Sequence, residues 1–125
     1  MTALVCIVAG GKAVAFAAAV FTLAWTHWVE KSRWQERWVS TSQGFVLEEA
    51  RVQGSGAGME PGEDACREGD WWVWTPRLPP LPELVLAASG ATASGWTLCD
   101  ADECRELGGR EQQPVVLQHC DRQRP

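Results

Sequence analysis

The strongest constraint on the fold is the alternation of residue types over residues 21 to 29. Large apolar residues and histidine occupy every second position of this segment, with small or polar residues mostly between them. Because successive side chains of a strand point to opposite faces, the pattern predicts a half-buried β-strand. Five residues share its bulky face: Phe21, Leu23, Trp25, His27 and Val29. His27 is therefore expected on the buried side of the strand.

The pattern of residue types over most of the remaining chain predicts further short strands separated by turn residues. They are predicted at residues 4–8, 12–16, 34–40, 45–52, 71–75, 83–88, 95–99, 103–107 and 114–118. Helices over 13–20, which is rich in alanine, and over 29–39 remain the alternatives. With 125 residues, the chain is expected to form a single domain over residues 1–125. Nine or ten short strands around one core predict an all-β fold, either a small antiparallel β-barrel or a β-sandwich.

The apolar stretch over residues 3 to 25 contains one charge, Lys12. Gly10 and Gly11 interrupt the stretch, and a lysine near the middle of a spanning helix would cost about 3 kcal/mol. A secretory signal would carry its positive charge ahead of an unbroken apolar segment. Adjacent glycines instead favour a tight turn between paired strands. We therefore predict a β-hairpin, no membrane span and a cytoplasmic location by default, with a periplasmic or membrane-associated location as the alternative.

Three segments differ in composition from the predicted strands. Residues 54–70 are rich in glycine and acidic residues, which predicts a long loop that is either functional or disordered. Residues 76–82 contain four prolines and predict an extended connector, with a motif that docks on an aromatic groove as the alternative. Residues 121–125 form a polar tail.

Charge and aromatic content narrow the function classes. The net charge is -5, and the basic residues are scattered, so we expect no nucleic-acid partner. The chain has eight tryptophans and no tyrosine. Most of these rings are expected in the core, because each buries a large apolar area. Trp71 and Trp72 are adjacent, so one of them must point away from the core and, with Trp28, is a candidate to line a groove.

Four pieces of the sequence form one arrangement: FTLAWTHWVEK, which contains His27, Val29 and Glu30, then a tryptophan-rich strand, then LEEARVQGSGAGMEP, and later GWTLCDADECREL. On these pieces the chain resembles DUF1850, an uncharacterised bacterial family, and GSGAGME is the most specific part. The resemblance covers roughly residues 4 to 108. It implies an all-β domain and an association with TRAP transporters of the TAXI type, but no biochemical activity. Trp28 stands where the family has a serine.

His27 and Glu30 are the candidates for acid or base chemistry, since histidine titrates near neutral pH and a carboxylate can orient it. In a regular strand, residues three apart point to opposite faces, so the two side chains meet only across a bulge. The alternative is a structural histidine beside a surface glutamate. We expect His27 to lie close to the glycine-rich loop.

The glycine-rich loop is a candidate ligand site because bare backbone N–H groups can bind an anion. Its residues are Gly54, Ser55, Gly56, Ala57 and Gly58. The alternative is a bulged strand end that requires a positive φ.

Cysteine spacing predicts one close pair. Cys99 and Cys104 flank a four-residue loop, so as hairpin partners they are expected within disulfide range, although a disulfide requires an oxidising compartment. A zinc site from Cys99, Cys104, His119 and Cys120 lacks the usual ligand spacing. No metal or other cofactor is expected.

Together these features predict a non-enzymatic accessory or ligand- and partner-binding module associated with a TAXI-type TRAP transporter, whose subunits are the expected partners. The transporter association follows only from the family resemblance. The alternative is a small hydrolase-like enzyme that uses His27 and Glu30 beside the loop from Gly54 to Gly58.

Overall fold

The structure is a computed structural model that describes residues 4–9, 12–26, 32–53, 64–86, 95–107 and 114–120. Within them the chain forms eleven strands and no helix, which confirms the all-β prediction. The strands are β1 (Leu4–Ala9), β2 (Lys12–Ala17), β3 (Val20–Thr26), β4 (Arg33–Thr41), β5 (Gly44–Gln53), β6 (Cys66–Glu68), β7 (Trp71–Trp74), β8 (Glu83–Leu86), β9 (Trp96–Cys99), β10 (Cys104–Leu107) and β11 (Val115–His119). No described segment is a helix long and apolar enough to cross a membrane.

The strands form two antiparallel sheets. The smaller sheet has the order β2-β1-β11-β8, and the larger sheet has the order β10-β9-β3-β4-β5-β7-β6. Side chains from both sheets meet in one apolar core. The described strands do not close into a barrel, so the arrangement is sandwich-like.

The core confirms the period-two alternation of β3. Phe21 and Leu23 are each 1% exposed, whereas Thr22 between them is only partly buried. From the smaller sheet the core takes Val5, Ile7, Phe16, Leu84, Leu86, Val115 and Leu117. We call the face of the larger sheet that carries Phe21, Leu23 and Trp38 its inner face.

The N-terminal arms pair as a hairpin. β1 and β2 are antiparallel, with Ala9 opposite Lys12, while Gly10 and Gly11 lie outside the described residues. The helical alternative for residues 13–20 is wrong, because β2 covers 12–17 and β3 begins at Val20. The helical alternative for 29–39 is wrong over 33–39, which belong to β4.

A β-bulge changes which residues of β5 face inward. Arg37 lies opposite Glu49, but Trp38 lies opposite Leu47, so Glu48 is the extra residue. The buried positions therefore move from Phe45 and Leu47 to Ala50 and Val52. The core cluster contains Phe45 and Leu47 but neither Ala50 nor Val52. The bulge thus separates the part of β5 that the smaller sheet covers from the part beyond it.

Two segments expected to be irregular contribute to the larger sheet. The prediction of a loop over all of 54–70 is wrong at 66–68, where β6 pairs with β7 around a turn that contains Gly69, while 54–63 lie outside the described residues. A three-residue edge strand is too short to produce a recognisable alternation. The proline-rich connector reaches β5 at Leu81, whose N–H donates to the Phe45 carbonyl at 2.9 Å and whose carbonyl accepts from the Phe45 N–H at 2.7 Å.

Gly44 provides a direct test of this contact. Its φ is +128°, and a Cβ there would lie 2.6 Å from the Leu81 carbonyl oxygen. We expect Gly44→Ala to lower the free energy of unfolding by about 2 to 3 kcal/mol. The matched control is Gly69→Ala, where φ is +63° and the space is open, so only the backbone term of about 1 kcal/mol remains. Urea denaturation measures both, and equal losses would contradict the steric argument.

Candidate functional site

One end of the larger sheet gathers residues from its central and outer strands. Thr26 lies opposite Arg33, Arg33 opposite Gln53, and Gln53 opposite Trp71. These four residues form one row at the point where β3 and β5 end and where β4 and β7 begin. We call this row and the positions next to it the tryptophan end of the sheet.

Four tryptophans lie on the inner face near this end, and we call them the aromatic face: Trp25, Trp34, Trp72 and Trp74. Trp25 and Trp34 are cross-strand partners whose rings stack at 5.9 Å with an interplanar angle of 5°. Trp74 meets Trp34 edge-on at 6.3 Å. The Arg67 guanidinium lies 5.2 Å from the centre of the Trp72 ring.

The expectation that most tryptophans belong to the core is wrong. Only Trp38 and Trp96, at 4% and 9% exposed, are buried among the seven described tryptophans. The aromatic face and Trp71 are half-buried. The physical reason is the unequal size of the two described sheets, since the four strands of the smaller one extend over only part of the inner face of the seven-stranded one. Large aromatic rings that are left partly exposed on one face are typical of a binding surface.

A carboxylate lies within this inner face. Glu36 lies between Leu23 of β3 and Ala50 of β5, on the same face as Trp34 and Trp38. The indole N–H of Trp38 donates to Glu36 Oε1 at 2.9 Å. Burial raises the pKa of Glu36, and the Trp38 hydrogen bond opposes that rise only in part. Glu36 therefore adds a protonatable group to an otherwise apolar surface.

Glu36 makes stability depend on pH in a defined direction. Because its pKa is higher in the folded protein than the ordinary value of 4.5, the folded state binds the proton more tightly. Protonation of Glu36 therefore stabilises the folded state most below pH 4.5. This contribution to the free energy of unfolding is lost as the pH rises through the folded-state pKa. We expect Glu36→Gln to raise Tm at pH 7 and to leave it nearly unchanged at pH 4, because an amide oxygen still accepts from Trp38. The control is the exposed Glu83→Gln, and a Tm gain equal at both pH values would contradict burial as the cause.

The outer face of the tryptophan end is polar. Trp71 points to this side, where the Arg51 guanidinium lies 5.9 Å from its ring centre and 2.9 Å from a Glu49 carboxylate oxygen. A shallow groove of about 180 Å³ lies nearby, lined by Ala24, Trp25, Thr26, Arg33, Trp34, Gln35 and Thr97. The two faces of this end are therefore chemically different, with half-buried aromatic rings on the inner side and ion pairs on the outer side.

The sequence-predicted ligand residues lie outside the described residues: His27, Glu30, Gly54, Ser55, Gly56, Ala57 and Gly58. Their points of attachment are described. Thr26 precedes His27, Gln53 precedes Gly54, and both lie opposite Arg33 on neighbouring strands. At about 4.8 Å per strand, Thr26 and Gln53 lie about 10 Å apart at the tryptophan end. That His27 lies close to the glycine-rich loop stays a prediction.

Ser32 is a buried polar residue at the tryptophan end of the sheet. It directly precedes β4, it is 5% exposed, and its hydroxyl has no hydrogen-bond partner among the described residues. A buried hydroxyl without a partner costs about 1 to 3 kcal/mol, so such a group is uncommon without a water or ligand. Nothing in the sequence pattern singled out Ser32.

The structure brings the two predicted cysteines together. Cys99 lies opposite Cys104 across the β9–β10 hairpin, with Cα atoms 4.0 Å apart, and a disulfide joins them. In the turn between them the Asp100 carboxylate accepts from the backbone N–H groups of Glu103 and Asp102 at 2.9 and 2.7 Å, which lowers the pKa of Asp100.

Sequence reasoning missed a second disulfide, which joins Cys6 to Cys120. A sequence separation of 114 residues gives no local signal for this disulfide, because the two cysteines come together only through the pairing of β1 with β11. With four cysteines in disulfides, the zinc ligand set considered above does not assemble. The described residues contain no group of three or more side chains suited to a metal ion.

His119 and Ser40 form a contact between the sheets that the sequence also did not reveal. Ser40 Oγ lies 2.5 Å from His119 Nε2, and the His119 ring stacks on Phe45 at 4.5 Å. A hydroxyl beside an imidazole is the beginning of a nucleophilic site. Among the described segments no carboxylate hydrogen-bonds to His119, and the contact joins β4 of the larger sheet to β11 of the smaller one.

The fold and this site define a two-sheet, disulfide-linked all-β domain with a partly exposed aromatic face. The chain belongs to the family described as domain of unknown function DUF1850, whose profile matches residues 21–107. The match contains β8 and nearly all of the larger sheet, whereas β1, β2 and β11 lie outside it. Neither the curated proteins nor the solved structures gave a match to the chain.

Proposed function

We propose that this domain is a non-enzymatic binding module that docks a protein partner on the aromatic face. The observation that carries the proposal is the group of four half-buried tryptophans on one side of a sheet end. Tryptophan is enriched among the residues that dominate protein–protein binding energy, because it buries a large area at a small entropic cost. The polar groups Glu36 and Arg67 at its border would supply directional contacts.

The proposed partner is a subunit of a TAXI-type TRAP transporter. This part of the proposal is supported by the family resemblance and not by any contact in the fold. Of the transporter components, a soluble substrate-binding subunit is the natural candidate, since it is free to approach the sheet end from solvent.

We propose a periplasmic location in place of the cytoplasmic default. Two disulfides, one of them between residues far apart in the sequence, support an oxidising compartment. A substrate-binding subunit works in the same compartment, so the location and the partner are consistent with each other.

The binding proposal is tested with purified transporter subunits in a surface-binding assay. We expect Trp34→Ala and Trp74→Ala each to weaken binding about tenfold or more, which corresponds to about 1.4 kcal/mol. The control is Trp71→Ala, which removes an aromatic ring of β7 from the opposite face. Equal weakening by Trp71→Ala, or no binding of any transporter subunit to the unmodified protein, would overturn the proposal.

A second candidate function is a small hydrolase-like enzyme that uses His27 and Glu30 beside Gly54 to Gly58. One observation favours it, namely that Thr26 and Gln53, which precede the two segments in the sequence, lie on either side of Arg33. Hydrolysis of small esters by the unmodified protein, lost in His27→Ala while Tm is retained, would support the enzyme over the binding module.

A further inference from the structure

We infer that the chain associates with a second copy of itself through the edge of β2 that no described strand occupies, so that two four-stranded sheets join into one eight-stranded sheet. This inference is independent of the proposed binding function, because β2 belongs to the smaller sheet and the aromatic face to the larger one.

The backbone of β2 offers hydrogen-bonding groups along this edge. The Leu4 carbonyl accepts from the Cys120 N–H at 3.1 Å, so Leu4 directs its backbone groups toward β11. Groups alternate along an antiparallel strand, so Val5 and Ile7 direct theirs toward β2. Their partners Phe16 and Val14 use the β1 side of β2. Residues 13, 15 and 17 therefore direct their N–H and C=O groups away from β1, and among the described strands β2 pairs only with β1.

The other three edges of the two described sheets carry features that oppose strand addition. β6 has three residues, two of them charged. β10 has two charged residues among four and a disulfide to its neighbour. β8 has four residues, begins with Glu83 and follows directly on Pro82. Charges, prolines and short length are the usual means of blocking edge pairing. β2 has six residues, no proline, and a single charge at its first position.

The sequence of β2 is complementary to itself in an antiparallel arrangement. A two-fold axis through Ala15 places Ala13 opposite Ala17 of the other copy and Val14 opposite Phe16 of the other copy. The three alanine positions then exchange about six backbone hydrogen bonds across the edge. Val14, which is 55% exposed on an apolar strand, would become covered in this arrangement. Cyclic two-fold symmetry is the commonest arrangement of identical chains.

The distribution of charge also favours β2 as the contact between two copies. The chain carries a net charge of -5, so contacts between its ionic surfaces would be repulsive on balance. Along β2, the residues from 13 to 17 are uncharged, and the outer side of the smaller sheet continues with the exposed Val85. An edge of about 20 Å buries less surface than a standard protein interface, so the dimer is expected to be weak and concentration-dependent.

The test uses the position on the two-fold axis. We expect sedimentation analysis of the unmodified chain to show a reversible monomer–dimer equilibrium. Ala15→Glu and Ala15→Lys each place like charges directly opposite each other and should be monomeric. A mixture of the two variants should form a heterodimer, since the charges are then complementary. Ala15 is exposed, and circular dichroism with Tm confirms that each variant folds.

The control is Val85→Glu, on β8 at the other edge of the same sheet, where the side chain is 59% exposed. Its dimerisation should match that of the unmodified chain. A monomer at every concentration, a dimer that Ala15→Glu leaves intact, or a dimer that Val85→Glu abolishes would each overturn the inference. The last result would point to stacking of sheet faces in place of edge pairing.

Discussion

Replacing Cys6 and Cys120 together by alanine is expected to lower the free energy of unfolding by about 4 to 5 kcal/mol. The disulfide joins residues 114 positions apart, so its loss releases nearly the whole chain in the unfolded state. It also holds β11 against β1, and these two strands supply Val5 and Leu117, which are fully buried in the core. Urea denaturation of the variant and of the unmodified protein, without reductant, gives the difference.

The control is replacement of Cys99 and Cys104, whose sequence separation is 5. A short closed loop constrains the unfolded chain less, so the expected loss is about 2 kcal/mol. Equal losses for the two pairs would show that loop closure does not govern the stabilisation. A larger loss for Cys99 and Cys104 would contradict the prediction outright.

Phe45→Ala is expected to cost about 4 kcal/mol of unfolding free energy. Phe45 is 0% exposed, packs edge-on against Phe21 at 5.9 Å, and stacks on the His119 ring at 4.5 Å. Truncation leaves a cavity between the sheets and removes the apolar support from the contact between Ser40 and His119. The measurement is again urea denaturation.

Phe45→Leu is the matched variant, since it retains most of the apolar volume and should cost about 1.5 kcal/mol or less. A smaller loss for Phe45→Ala than for Phe45→Leu would contradict close packing around the Phe45 ring. Gly44→Ala is expected to disturb the same region, because Phe45 hydrogen-bonds to Leu81 of the proline-rich connector and a Cβ at position 44 would meet the Leu81 carbonyl.

The family match and the fold divide the chain differently. Residues 21–107 contain most of the larger sheet, but the core of the sandwich also requires side chains from β1, β2 and β11. Phe21 packs edge-on against Phe16 of β2, and Phe45 stacks on His119 of β11. The disulfide between Cys6 and Cys120 links the segments that precede and follow the family match.

Local alternation in the sequence determined the strands with a regular pattern. Phe21 and Leu23 are buried as period two requires, because a single half-buried strand shows its two faces without help from its neighbours. The spacing of Cys99 and Cys104 likewise placed both residues at the ends of one short turn, where the structure pairs them. Such features depend on residues close together in the sequence.

Tertiary structure alone decided the features that depend on distant pairing. The bulge at Glu48 shifted the inward-facing positions of β5, and the placement of β11 beside β1 paired Cys6 with Cys120 and brought His119 to Ser40. The exposure of the aromatic face follows from a four-stranded sheet packing on a seven-stranded one, and composition cannot show how far one sheet covers another. The alternation of residue types predicts which face of a strand a tryptophan lies on. It does not predict whether a second sheet packs on that face, because that depends on residues far away in the sequence.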